Sequence, residues 1–230
     1  MAGTASPTAR DAMTGGRPLP AALAVFERRP APHWIPVLLP IGLVLLFVGQ
    51  LLVANSFALA RHPVSSFAAQ FTFDGATVRD HYLTMQAQGT LDAFITSRRL
   101  DYVFILGLAL TTTLAPIIYA RLQPPGSRLR ALDLICVWIM PLSPLLDAIE
   151  NVLEFAMLNT VLSDPNAVPH TLTVTQSWLS VAKYATGPPI GLGLLTVNVI
   201  ALTLTAIRTG GPGAPATPAD TPPPGEPVRR

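Results

Sequence analysis

One cysteine and one lysine stand in 230 residues, and charged side chains make up only 12% of them. The single cysteine, Cys136, excludes an intramolecular disulfide and a zinc cluster built from cysteines; inside an apolar segment it reads as a small packed side chain. His33, His62, His81 and His170 fall in loops or at the ends of apolar segments, with no pair at i and i+4, so no histidine metal centre is expected. So little charge also argues against a soluble core. Half the residues are apolar and the mean hydropathy is positive, the profile of a polytopic membrane protein. A pI of about 9.0 would suit nucleic acid, but the arginines sit at the ends of apolar segments and not along one patch, so no nucleic-acid partner is expected. No phosphate loop, nucleophile elbow or dinucleotide fingerprint occurs, and no cofactor is expected.

Four apolar stretches remain, near 34 to 58, 100 to 120, 131 to 159 and 178 to 207, each long enough for the about 20 helical residues that cross a hydrocarbon layer. The first has too long a lead-in and too long an apolar core to be a signal peptide, although Ala58-Leu59-Ala60 resembles a cleavage site. The expected fold is all-α: a transmembrane four-helix bundle over 31–208, with a short extramembrane helical segment between the first two spans. The tails 1–30 and 209–230, rich in Pro, Gly, Ala and Thr, are expected to be disordered. Asp74-Gly75 signals a turn, Thr77 can cap a helix, Gly89 can end it and Thr90 can cap the next, in which Leu91, Phe94, Ile95 and Arg98 suggest a helix leading into the second span. A helix near 78 to 88, with Tyr82 and Met85 on one side, then lies at the outer interface or packs on the bundle.

Arg10, Arg17, Arg28 and Arg29 precede the first span, Arg121, Arg128 and Arg130 crowd the second loop, and Arg208, Arg229 and Arg230 follow the last span. The third loop has no Lys or Arg. Positive charge stays in the cytoplasm, which predicts a multi-pass cell-membrane protein with both termini cytoplasmic. Arg61, Arg79, Arg98 and Arg99 in the first loop run against the rule and are offset by Asp74, Asp80 and Asp92. Trp34 and Trp178, at the ends of spans, read as interfacial anchors.

Within this apolar frame the few charges matter. Asp147, Glu150, Asn151 and Glu154 fall within an arc of about 100° on one helical face, and Lys183 lies in the next span. An ionised group at the centre of a bilayer costs about 2.5 to 3.5 kcal/mol on insertion scales, so these side chains should face protein or water. At 1.5 Å per residue, Glu154 and Lys183 come to about the same depth, about 8 Å below the outer end, with Asp147 and Glu150 deeper. Asp101 opens the second span on that side, and Gln50 and Asn55 lie in the outer half of the first. These positions predict a hydrated, outward-facing pocket holding a cluster of Asp101, Asp147, Glu150, Asn151, Glu154 and Lys183, with at least one shared proton. Its roles are, in order, an interhelical salt bridge that fixes packing, binding of a small apolar or cationic ligand including proton- or cation-coupled transport, and acid/base chemistry on a lipid-like substrate. No reaction and no residue is singled out as catalytic. Gly187-Pro188-Pro189 is the strongest helix breaker and predicts two half-helices in the fourth span; Pro40, Pro116, Pro141 and Pro144 predict kinks. Besides the lipid bilayer, a homodimer is a candidate partner, though no zipper specifies it.

Three segments carry a resemblance: Arg99-Leu100-Asp101-Tyr102-Val103-Phe104-Ile105 opening the second span, Asp147-Ala148-Ile149-Glu150-Asn151 in the third, and Lys183 in the fourth. Over about residues 35 to 205 the chain resembles an uncharacterised group of four-span membrane proteins. That group has an L-D-[FY]-x-F segment after an extramembrane helical pair, an intramembrane D-x-x-E-N motif and a lysine in the last span. The resemblance implies the bundle and the choice of Asp101, Asp147, Glu150, Asn151 and Lys183. It implies no activity, and Glu154 rests on helical spacing alone. Gly107 departs from the group, which carries a tyrosine or other bulky residue there.

Overall fold

A computed structural model describes Leu23, Val25, Phe26 and residues 29–208. The two expected tails, with Arg10, Arg17, Arg28, Arg229 and Arg230, lie almost wholly outside the described residues. Among the described residues all regular secondary structure is helical: α1 (Ile35–Ala60, entered by a 3-10 turn at Pro32–Trp34), α2 (Ser66–Gln70), α3 (Gly75–Ala87), α4 (Leu91–Leu122), α5 (Arg128–Ile139), α6 (Leu142–Ser163) and α7 (His170–Arg208). Four helical stretches are long and apolar enough to cross a membrane: Pro32–Ala60, Leu91–Leu122, Arg128–Ser163 and His170–Ile207. The chain divides into two compact units at Leu194. Beyond it, the end of α7 presents exposed Leu195, Val197, Val199, Ile200, Leu204 and Ile207.

The prolines meet expectation at Pro141 and depart from it at Pro188-Pro189. The third crossing is the interrupted one, with α5 and α6 meeting at Met140-Pro141. Pro141 has no N–H for the carbonyl four residues back, and Pro144 sits in the first turn of α6, where an N–H would have no intrahelical acceptor. The fourth crossing, expected to break at Gly187-Pro188-Pro189, is one continuous helix. Two adjacent prolines leave only two upstream carbonyls without partners while their ring-locked φ remains helical. In apolar surroundings, opening the backbone further would strand more polar groups. Gly187 has another role: a Cβ there would overlap Ser143, so the residue lets α7 approach the start of α6.

The second crossing continues from the helix expected to lead into it: no glycine or proline falls between Leu91 and Leu106, and the first turns bury Leu91, Phe94 and Ser97. α1 packs on α4 through glycines. A methyl on Gly49 would stand 2.5 Å from the Phe104 amide nitrogen and one on Gly42 3.0 Å from Leu110 Cβ, and a methyl on Gly107 would overlap the Leu46 backbone. A tyrosine at 107 would therefore force these helices apart, which accounts for the departure noted in the sequence.

Asp74 caps α3: its carboxylate accepts from the backbone N–H groups of Ala76 and Thr77, at 3.1 and 3.2 Å, and from the Thr77 hydroxyl at 2.7 Å. The cap is thus Asp74, and Thr77 supports it from within the first turn. Those same three bonds hold the Asp74 carboxyl below its usual range, the Thr77 hydroxyl having the largest effect. Gly89, at φ +67, ends the segment. Thr90 donates its hydroxyl to the Ala60 carbonyl at 2.6 Å and makes no side-chain cap for α4. Of the two placements expected for α3, the packed one holds: Val78, Tyr82 and Met85 join Phe94, Met157, Leu158 and Val161 in one apolar core. The connection from 61 to 74 and the loop before α7 meet at the same end, where Gly75 abuts Pro169 and His170 and Ser177 donates to the Thr72 carbonyl at 3.0 Å.

Candidate functional site

Beneath that end, α4, α6 and α7 turn their charged side chains toward one another. Lys183 Nζ donates to Asp147 Oδ1, Glu150 Oε2 and Gln70 Oε1, each at 2.7 Å. An ammonium has three N–H groups, so this lysine is saturated. Asp147 and Glu150 are one turn apart on α6, which lets a single cation from α7 meet both. Gln70 ends α2, so this five-residue helix reaches down to the same ammonium. Aromatic contacts seat it there: Phe67 and Phe71 pack on Tyr184 with ring centroids 5.3 and 5.6 Å apart.

Nearer the extramembrane end, Arg98 Nε lies 2.6 Å from Glu154 Oε2, with both side chains nearly sealed from solvent. The guanidinium faces the rings of Phe94 and Phe57, at 5.1 and 5.6 Å from their centroids. Gln176 Nε2 donates to the other Glu154 oxygen at 3.1 Å. Between the two ion-paired groups, Asn151 Nδ2 donates to Asp101 Oδ2 at 2.8 Å. All six residues expected in the cluster are therefore brought together. Of Glu150 and Glu154, the two acids open to Lys183, the ammonium takes Glu150 together with Asp147, and Glu154 pairs with Arg98.

Arg98 is the residue sequence reasoning missed. Counted among loop charges, it is 5% exposed. A signal was present, because Phe94, Ser97, Arg98 and Asp101 share one helical face once α4 starts at Leu91. Gln70 and Gln176 carried no such signal, lying outside the segments read as spans. Asn55, expected to face the pocket from the outer half of the first span, is exposed, and the neighbouring Ser56 is the buried residue.

The cluster borders a cavity of about 510 Å³. Asp101, Asp147, Lys183, Arg98, Gln70 and Gln50 supply its polar wall, and Phe104, Leu108, Met140, Pro188 and Gly191 much of the rest. Gln50, Phe67 and Pro188 on its edge are exposed, so the cavity reaches the surface of the bundle. Glu150, Asn151 and Glu154 stand behind this wall.

A second cavity of about 10 Å³, the size of one water molecule, lies above Glu154 among His62, His81, Tyr82 and Gln176. The His62 and His81 rings meet edge to face at 4.9 Å. Burial pushes His62 down to about 4, with the nearby His81 and Arg98 adding to the effect and the Val64 carbonyl opposing it. Burial also lowers His81, against Asp80, and carries the Tyr82 phenol well above its ordinary value. Among the described residues no group of three or more His, Cys, Asp and Glu side chains is placed to hold a metal ion. No protein-family model, no curated protein and no solved structure matches this chain.

Proposed function

We propose that this is a multi-pass protein of a cell membrane, with both termini cytoplasmic, that binds a small ligand against the Asp101, Asp147 and Lys183 wall in the outer half of the bilayer. One observation carries the reading: the charged cluster does not close on itself but fronts a cavity of about 510 Å³, within the range of about 300 to 1,000 Å³ typical of small-molecule sites. A cluster whose only task is to join helices needs no such space. The arginine distribution supports the orientation. The motif likeness to the uncharacterised four-span group supports the choice of Asp101, Asp147, Glu150, Asn151 and Lys183. Native mass spectrometry of the protein released from nanodiscs should show a bound adduct, and Thr112→Trp, which fills one wall of the cavity, should remove it. A bare wild-type protein under conditions that retain ordinary lipids would count against the proposal.

Proton- or cation-coupled transport is a second reading, favoured by the excess of four carboxylates, Asp101, Asp147, Glu150 and Glu154, over the two cations Arg98 and Lys183. Reconstituted flux that is insensitive to Glu150→Gln would sink it.

A further inference from the structure

Resting on the ligand-binding reading above, we infer that the ligand is a single-chain amphiphile with a cationic amino head, held between Asp101 and Asp147 with its chain along the apolar wall. The cavity wall is sorted in a way that carries this. Lys183 has already given its three N–H groups to Gln70, Asp147 and Glu150, so it offers an incoming molecule nothing. Asp101 and Asp147 have capacity left. Asp101, 7% exposed, receives Asn151 on Oδ2 alone, and Asp147 receives Lys183 on Oδ1 alone. Among the described residues the second oxygen of each has no hydrogen-bond partner, and both residues line the cavity. Two carboxylate oxygens at one wall are acceptors without donors, and they select a head group that carries N–H and positive charge.

The charge balance points the same way. Four carboxyl groups share Arg98 and Lys183, so even with one proton held among them the acids outnumber the cations, and a cationic head brings the cluster closer to neutrality whereas an anionic one adds to the excess in a poorly solvated site. Arg98 is the counter-argument, because it borders the cavity and neither its Nε nor its Nη2 has a hydrogen-bond partner. Its charge is nevertheless balanced by the ion pair with Glu154, 2.6 Å from Nε, and Phe57 and Phe94 flank the guanidinium. For the rest of the molecule, Phe104, Leu108, Met140 and Gly191 provide an apolar wall. The exposed edge at Gln50, Phe67 and Pro188 gives a way in without passage through the bundle.

A head-group series on one chain length tests this. Tritiated dodecylamine is bound to the full-length protein in nanodiscs at pH 7 and displaced by unlabelled dodecylamine, dodecanol or laurate. The amine should be at least 10-fold the best competitor, and Asp101→Asn should weaken it at least 10-fold while leaving laurate unchanged. Preference for laurate would overturn the inference and make Arg98 the anchor. Equal competition by all three would overturn the head-group class and leave ligand binding standing. If no chain of any head group binds saturably, tritiated laurate and dodecanol included, the ligand-binding reading falls as well.

Discussion

Arg98 and Glu154 pair at 2.6 Å with almost no exposure, and the energetics of such a pair are asymmetric. Removing one partner strands a buried charge and costs about 3 to 5 kcal/mol, whereas replacing both with well-packed apolar groups is often neutral. Arg98→Leu should therefore lower the thermal midpoint sharply, and Arg98→Met combined with Glu154→Leu should recover most of the loss; a double variant no better than the single one would show that the pair is not a closed unit. His62 makes a pH-dependent contribution of determined sign. Folding holds its ring neutral down to about pH 4, whereas in the unfolded chain the same ring takes up a proton near its ordinary 6.5. Stability from this residue is full above pH 6.5, falls as the pH drops from 6.5 toward 4, and declines no further below that. Thermal unfolding across this window should show the slope in the wild type, and His62→Phe should flatten it.

Among the helices, the α1 and α4 pair depends on three positions without side chains. Gly49 and Gly107 each meet backbone of the opposite helix where a Cβ would stand, so no rotamer change relieves an added group. Overpacking of this kind costs about 1 to 3 kcal/mol. Gly107→Ala should destabilise by an amount in that range, while Gly193→Ala, where a Cβ meets nothing within 4 Å, should leave the midpoint unchanged. The proline pair in α7 calls for the opposite expectation. Because the helix already runs through Pro188 and Pro189, replacing both with alanine should preserve folding and helical content; a loss of either would mean that the residues shape the site through a bend.

For the molecule as a whole, the decisive quantity is which way it faces. The segment 61–90 and the loop 164–169 share one end, and the other end holds Arg121, whose Nη2 donates to the Pro30 carbonyl at 2.7 Å. With positive charge retained inside, the proposed orientation puts the first of these ends outside. In a Cys136→Ala background, Asn166→Cys should react with a membrane-impermeant maleimide on intact cells. Labelling only after permeabilisation would invert the orientation and put the cavity on the cytoplasmic side.

Much of this was legible in the residues because insertion into lipid leaves few choices. Helices about 20 apolar residues long and a strong penalty on stray charge made the four crossings and the face of Asp147, Glu150, Asn151 and Glu154 readable from spacing alone. Three features were not. Arg98 was counted among the loop charges, although Leu91, Phe94, Ile95 and Arg98 already suggested a helix leading into the second span, because hydropathy bounds the apolar layer and not the helix that continues beyond it. Met140-Pro141 and Gly187-Pro188-Pro189 look alike locally, and which one interrupts a helix depends on what packs beside it. The match of Arg98 to Glu154 and of Lys183 to Asp147 and Glu150 was likewise open. Composition and periodicity settled that charged groups in these helices must turn toward one another, since the energy of hydrocarbon exposure is a property of each residue. Which acid meets which base, and that the meeting leaves a cavity with two carboxylate oxygens unspent, followed from helix approach at Gly49, Gly107 and Gly187, which is a property of surfaces in contact and exists only once the chain is folded.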